Sequence, residues 1–137
     1  MIRTAVIGDA PAISRLMLRD LEHPDPRFPE ELIARFRAHA ELDAIMGEFS
    51  NPALVAFVSG EVDGFIVGYR EGDRITIHYV CGALEVKRQL LKHVLSLGGS
   101  FLADTFEFME NYKLFKDWRL IRKDLLAPDL EMLWFEK

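Results

Sequence analysis

The sequence predicts an α/β chain of the α+β kind: one mixed sheet of about seven strands with helices on both faces. Three observations carry that expectation. Helical and strand periods follow one another in mixed rather than strict alternation. Three β-rich runs between Leu54 and Val80 are joined by tight polar turns, which reads as an antiparallel meander. The last of them, ITIHYV (Ile75 to Val80), passes almost directly into a helical pattern in VCGALEVKRQLL (Val80 to Leu91), and a further strand follows. That is a β-α-β unit, whose strands should be parallel with a right-handed crossover.

The elements follow in order. Ile2 to Ile7 alternates weakly and reads as a strand. Asp9 suits a helix N-cap and Pro11 a first turn, with Ile13, Leu16, Met17 and Leu21 at helical spacing. HPDPRFP (His23 to Pro29) is a loop, because prolines break both regular structures. Glu30 and Glu31 suit a helix start, and Leu32, Ile33, Phe36, Ile45 and Met46 carry one apolar face to about Phe49. Pro52 ends it. Leu54 to Val58 is a strand, Ser59–Gly60 a turn and Val62 to Tyr69 the hairpin partner. Gly64, inside that partner, marks a bulge or a close backbone approach. Glu71 to Asp73 is a second turn, and Arg74 to Val80 a third strand. Leu84, Leu90, Leu91, Val94 and Leu95 form one helix face, ended by Gly98 and Gly99. Phe101 to Phe106 is a strand, and Phe108, Met109, Tyr112 and Phe115 share a helix face. Leu120 to Lys123 and Met132 to Phe135 close the sheet around Ala127 to Asp129. The order is β-α-α-β-β-β-α-β-α-β-β in a single domain, 1–137.

Composition narrows the function classes. Half of the 137 residues are hydrophobic, enough for one core. The net charge of -5 argues against nucleic acid or an anionic membrane as partner. The single cysteine, Cys81, leaves no disulfide framework, which fits a reducing, cytoplasmic setting. The four histidines lack ligand spacing, so no metal site is expected. The opening MIRTAVIGDAPAISRL does not read as a signal peptide, and no run is long and apolar enough to span a membrane.

The junction Val80 to Leu91 is where the chemistry should lie. Strand-to-helix turns hold phosphate, because free backbone N–H groups point out of the helix start. Gly82 suits such a turn, and Glu85 opposes an anion there.

The order of elements resembles the GNAT superfamily of acyl-CoA-dependent N-acyltransferases. IRTAVIGDAPAISRL is similar to its opening strand and helix, VAFVSGEVDGFIVGY (Val55 to Tyr69) to its second and third strands, and NYKLFKDWRL (Asn111 to Leu120) to its fourth helix. The resemblance implies transfer of an acetyl or other acyl group from CoA to an amine, with acetyl-CoA bound between two splayed parallel strands near Ile77 to Val80 and Leu102 to Asp104. Val80, Cys81 and Gly82 would border the pyrophosphate, with Lys87 and Arg88 assisting. The alternative is that Lys87 and Arg88 are solvated charges on an exposed helix face. The family's pyrophosphate signature has glycines where Glu85 and Lys87 fall if Leu90 and Leu91 match its helix leucines. The junction is also shorter than the family's.

Catalysis in this reading needs a base, and His78 is the first candidate, with Glu61, Asp63 and Asp104 as others. A hydrogen-bonded structural role is the alternative for His78, which alternation places on one face with Thr76 and Val80. Many family members protonate the leaving thiolate with a fourth-helix tyrosine. Phe115 takes that position here, and Tyr112, one turn earlier, is the candidate acid; the alternative is a tyrosine packed in the core. Cys81 is either a nucleophile with an unplaced base or an inert buried thiol. The acceptor is open between a small-molecule amine and a peptide amine. Trp118, Trp134 and Phe135 either fall on core faces or make a homodimer surface with the apolar C-terminal edge at LWFEK. The second functional reading is a non-catalytic binding or assembly protein on the same scaffold.

Overall fold

A computed structural model describes residues 1–137. The strands are β1 (Ile2–Thr4), β2 (Leu54–Ser59), β3 (Gly64–Glu71), β4 (Arg74–Cys81), β5 (Ser100–Phe106), β6 (Arg119–Ala127) and β7 (Leu130–Glu136). The helices are α1 (Ala10–Asp20), α2 (Glu30–Ala40), α3 (Leu42–Glu48), α4 (Leu84–Leu95) and α5 (Tyr112–Phe115). All seven strands join one sheet in the order β1-β2-β3-β4-β5-β7-β6. Only β4 and β5 pair in parallel, across the α4 crossover, as the β-α-β pattern requires.

The helices cover both faces. Ile13, Leu16 and Met17 of α1 and Ile45 of α3 bury against Ala56, Val58 and Phe65. On the other face Leu90, Leu91 and Val94 of α4, with Leu114 and Phe115 of α5, bury against Ile75, Ile77, Phe101 and Phe135. Each large side chain so buried contributes roughly 1.5–3 kcal/mol of transfer free energy. No helix is long and apolar enough to cross a membrane.

Several expectations are corrected in detail. The helix expected from Glu30 to about Phe49 is two helices. Glu41 is extended (ψ 147), and the Ser14 hydroxyl donates to the Ala40 carbonyl at 2.7 Å, holding the end of α2 against α1. Asp9 directly precedes α1 but does not cap it: its carboxylate turns back to accept from Arg3 (2.7 and 2.8 Å) and from the Val6 N–H (2.9 Å). Phe108 and Met109 lie in turns before α5 rather than on its face. The C-terminal strand β7 is not an edge: it lies between β5 and β6, and Phe135 is buried. The edge is β6, with Leu120, Ile121, Leu125 and Leu126 exposed.

One irregularity shapes the site. β3 and β4 pair Val67 with Tyr79 and Gly68 with Ile77, so His78 is an extra residue on β4. The strand period breaks there. Ile77 and Val80 both join the α4-side core, while Cys81 buries on the α1 side and Tyr79 packs against it. Val80 therefore does not share a face with His78.

Candidate active site

β4 and β5 pair from Arg74 with Ser100 to Ile77 with Ala103 and no further. Both run on, β4 to Cys81 and β5 to Phe106, each still paired to its outer neighbour. The two strands therefore part just where His78 is inserted, since a bulge bends its strand. At the parting, the Asn111 side-chain amide donates to the Val80 carbonyl at 3.3 Å, and Asn111 Oδ1 is buried with no hydrogen-bond partner.

A cavity of about 460 Å³ opens over this notch. Its floor includes His78, Tyr79, Val80, Cys81 and Asp104, and its walls come from the loop after α1 and the loop after β5. A second cavity of about 490 Å³ adjoins it between α1, α3 and the sheet, and Met17, His78 and Tyr79 line both. Aromatic rings bridge the two loops over the notch. Phe28 meets Phe106 edge-on at 5.2 Å, Phe106 stacks on Phe108 at 5.6 Å, and the Arg27 guanidinium lies 4.4 Å over Phe108.

The junction to α4 is built by close approach. Gly82 has φ +125, and a Cβ there would lie 3.1 Å from the Asp63 carbonyl. A Cβ on Gly64 would lie 2.6 Å from Val86 Cγ1, so of the two readings of Gly64 the close approach is the one observed. Backbone bonding of α4 begins with the Lys87 N–H donating to the Ala83 carbonyl at 2.9 Å, which leaves the preceding N–H groups of the first turn without helical partners. Lys87 is buried rather than solvated, and its ammonium pairs with Glu110 at 3.0 Å. Its side chain is buried while the charge reaches a half-exposed carboxylate. Glu85 and Arg88 are exposed on α4.

Burial sets the electrostatics. Asp104 is desolvated, which pushes its carboxyl up to about 6. It forms no salt bridge. Burial lowers His78, so its imidazole is neutral at pH 7 and can accept a proton. Its ring meets Tyr69 at 5.0 Å, and the Tyr69 hydroxyl donates to Glu48. Tyr79 is raised by burial, with Asp104 adding to the shift. Cys81 is raised well above its ordinary value by burial, with Asp20 adding to it, so the thiol is neutral and matches the inert reading.

His78, Val80 and Cys81 thus come together at the notch, with Gly82 and α4 beside them. Tyr112 does not join them. It packs against the α4-side core, 6.1 Å from the Phe135 ring, and lines neither cavity. Asn111, Tyr79 and Glu110 are site residues that sequence reasoning did not single out. The bulge hides Tyr79, because strict alternation places it on the face opposite His78.

No sequence-family model matches the chain, and no curated protein does. Solved structures do. The PaiA N-acetyltransferase of Thermoplasma acidophilum, in complex with coenzyme A, is similar over 100% of this chain and 98% of its own, at 13% identity and a TM-score of 0.72. A GCN5-related N-acetyltransferase of Rhodopseudomonas palustris matches over 100% and 94%, at 12% identity and a TM-score of 0.73. The ribosomal-protein-S18-alanine N-acetyltransferase of Escherichia coli matches over 99% and 91%, at 13% identity and a TM-score of 0.66. The chain has the fold of the GCN5-related N-acetyltransferases.

Proposed function

We propose that the protein is an N-acyltransferase that moves an acetyl or other acyl group from CoA to an amine. The parting of β4 and β5 after Ile77 and Ala103 carries this reading, because it leaves strand backbone free to bond a ligand amide. Asn111 Oδ1, buried and unpaired, is a further acceptor for such a donor. The residues therefore fit a pantetheine arm. Val80, Cys81 and Gly82 border the pyrophosphate, the free N–H groups of α4 face it, and exposed Arg88 assists. Lys87 contributes only by exchanging Glu110 for phosphate. Bound acetyl-CoA supplies the activated thioester.

The chain's own residues hold and deprotonate the amine. Asp104 attracts the ammonium, and neutral His78, at the boundary of the two cavities, takes its proton. Backbone N–H near Val80 polarises the acyl carbonyl. Tyr112, packed against Phe135, is not given the acid role in this reading. The setting is the cytoplasm, consistent with one reduced thiol.

The assembly in this reading is a homodimer through β6. Ile121 and Leu126, unmatched on β7 and exposed, bring apolar side chains to that edge.

The second reading, a binding protein without CoA chemistry, is favoured by one observation: Lys87 is already neutralised by Glu110 while Glu85 stands at the helix start. Thermal unfolding with added acetyl-CoA separates the two. Ligand at 100 times its dissociation constant adds roughly 2.7 kcal/mol, seen as a higher melting temperature. No shift with millimolar acetyl-CoA or longer acyl-CoA leaves the binding reading.

A further inference from the structure

The chemistry of the acceptor follows from the walls of the notch cavity, given the transferase reading above. Asp20, Asp25 and Asp104 line the cavity, and no lysine or arginine does. Asp25 is held by Arg27, and Asp20 lies against the Cys81 thiol. Asp104 is half-buried and in no salt bridge, and Arg122, the cation acting on it, counts for less than its burial. A desolvated carboxylate in that position is relieved by a bound cation. The same cavity is lined by Phe28, Phe36, Phe106 and Phe108, which offer apolar area to the substituent of an ammonium.

We propose that the acceptor is a small primary amine on an aromatic or bulky apolar body, its ammonium on Asp104 and its body among Phe28, Phe106 and Phe108. An amino acid is disfavoured, because a carboxylate beside the amine meets Asp104. A polyamine is disfavoured, because it leaves the aromatic wall uncovered and its other charges unpaired.

Calorimetric binding of 2-phenylethylamine, phenylalanine and spermidine to the full chain, with and without CoA, tests this. The amine should bind at least about tenfold tighter than either comparison ligand. Asp104→Asn should weaken the amine by about tenfold and leave the neutral 2-phenylethanol within about twofold. Phe108→Leu should weaken amine and alcohol alike. Equal or tighter binding of phenylalanine or spermidine overturns the proposal, and so does an amine affinity indifferent to Asp104→Asn. The two levels of the reading fail separately. If 2-phenylethylamine binds through Asp104 but is never acetylated by acetyl-CoA, the transferase reading falls and the amine site stands. If another class of amine is acetylated in preference, the acceptor class falls and the transferase stands.

Discussion

Asn111 donates its side-chain amide to the Val80 carbonyl at 3.3 Å, across the gap where β4 leaves β5. Its other amide atom, Oδ1, is buried and accepts nothing. An orphaned buried acceptor costs about 1–3 kcal/mol, which a ligand N–H recovers on binding. Asn111→Ala should therefore weaken acetyl-CoA by about tenfold while moving the melting temperature little, because one long hydrogen bond and one orphan vanish together. Isothermal titration checks it. Unchanged affinity would remove Asn111 from the ligand site.

Asp104 should make the protein less stable as pH rises. Burial lifts its carboxyl from 3.8 to about 6, so between those values the folded state binds more protons than the unfolded chain. Stability contributed by the protonated form is full below the unfolded value and is lost as pH rises through the folded one. The loss amounts to about 3 kcal/mol at most. Asp104→Asn should raise the melting temperature at pH 7.5 and flatten this part of the profile. Thermal scans from pH 4 to 8 measure both.

His78 and Asp104 should separate in kinetics. His78→Gln removes a base and should lower kcat by about 100-fold with KM nearly unchanged. Asp104→Asn removes an anion that holds the amine, and should raise KM chiefly. Because Asp104 ionises near 6, wild-type kcat/KM should climb through that pH, and the variant should lose the step. A variant of either residue with wild-type parameters would take it out of the mechanism.

The fold was legible because hydrophobic period, glycines and prolines all agreed. The meander, the crossover helix and its end at Gly98–Gly99 appear where the pattern put them. The break at Glu41 was not legible, since helical periodicity continues through it and the hydroxyl that holds the Ala40 carbonyl there, Ser14, is 26 residues away. The site was legible only as a place. Val80 to Gly82 marked the notch, but one inserted residue at His78 changed which neighbours share its face. Lys87 read as a phosphate contact or a solvated charge, and its ion pair was not legible because its partner Glu110 is 23 residues away. Tyr112 and Asn111 are adjacent in sequence, yet only Asn111 reaches the notch.

The β6 edge should hold two copies together. Ile121→Lys or Leu125→Lys places a charge in the paired strands and should convert a dimer into a monomer without lowering the melting temperature of the dilute protein. Light scattering after size exclusion reads the mass. A wild-type monomer at high micromolar concentration would contradict the pairing.

The most direct test of the central claim is mass spectrometry of product after the protein is incubated with acetyl-CoA and a panel of primary amines. The account predicts an acetylated amine and free CoA in equal amounts, abolished or nearly so by His78→Gln. Hydrolysis alone, or no turnover with any amine under conditions where acetyl-CoA is shown to be bound, would contradict it.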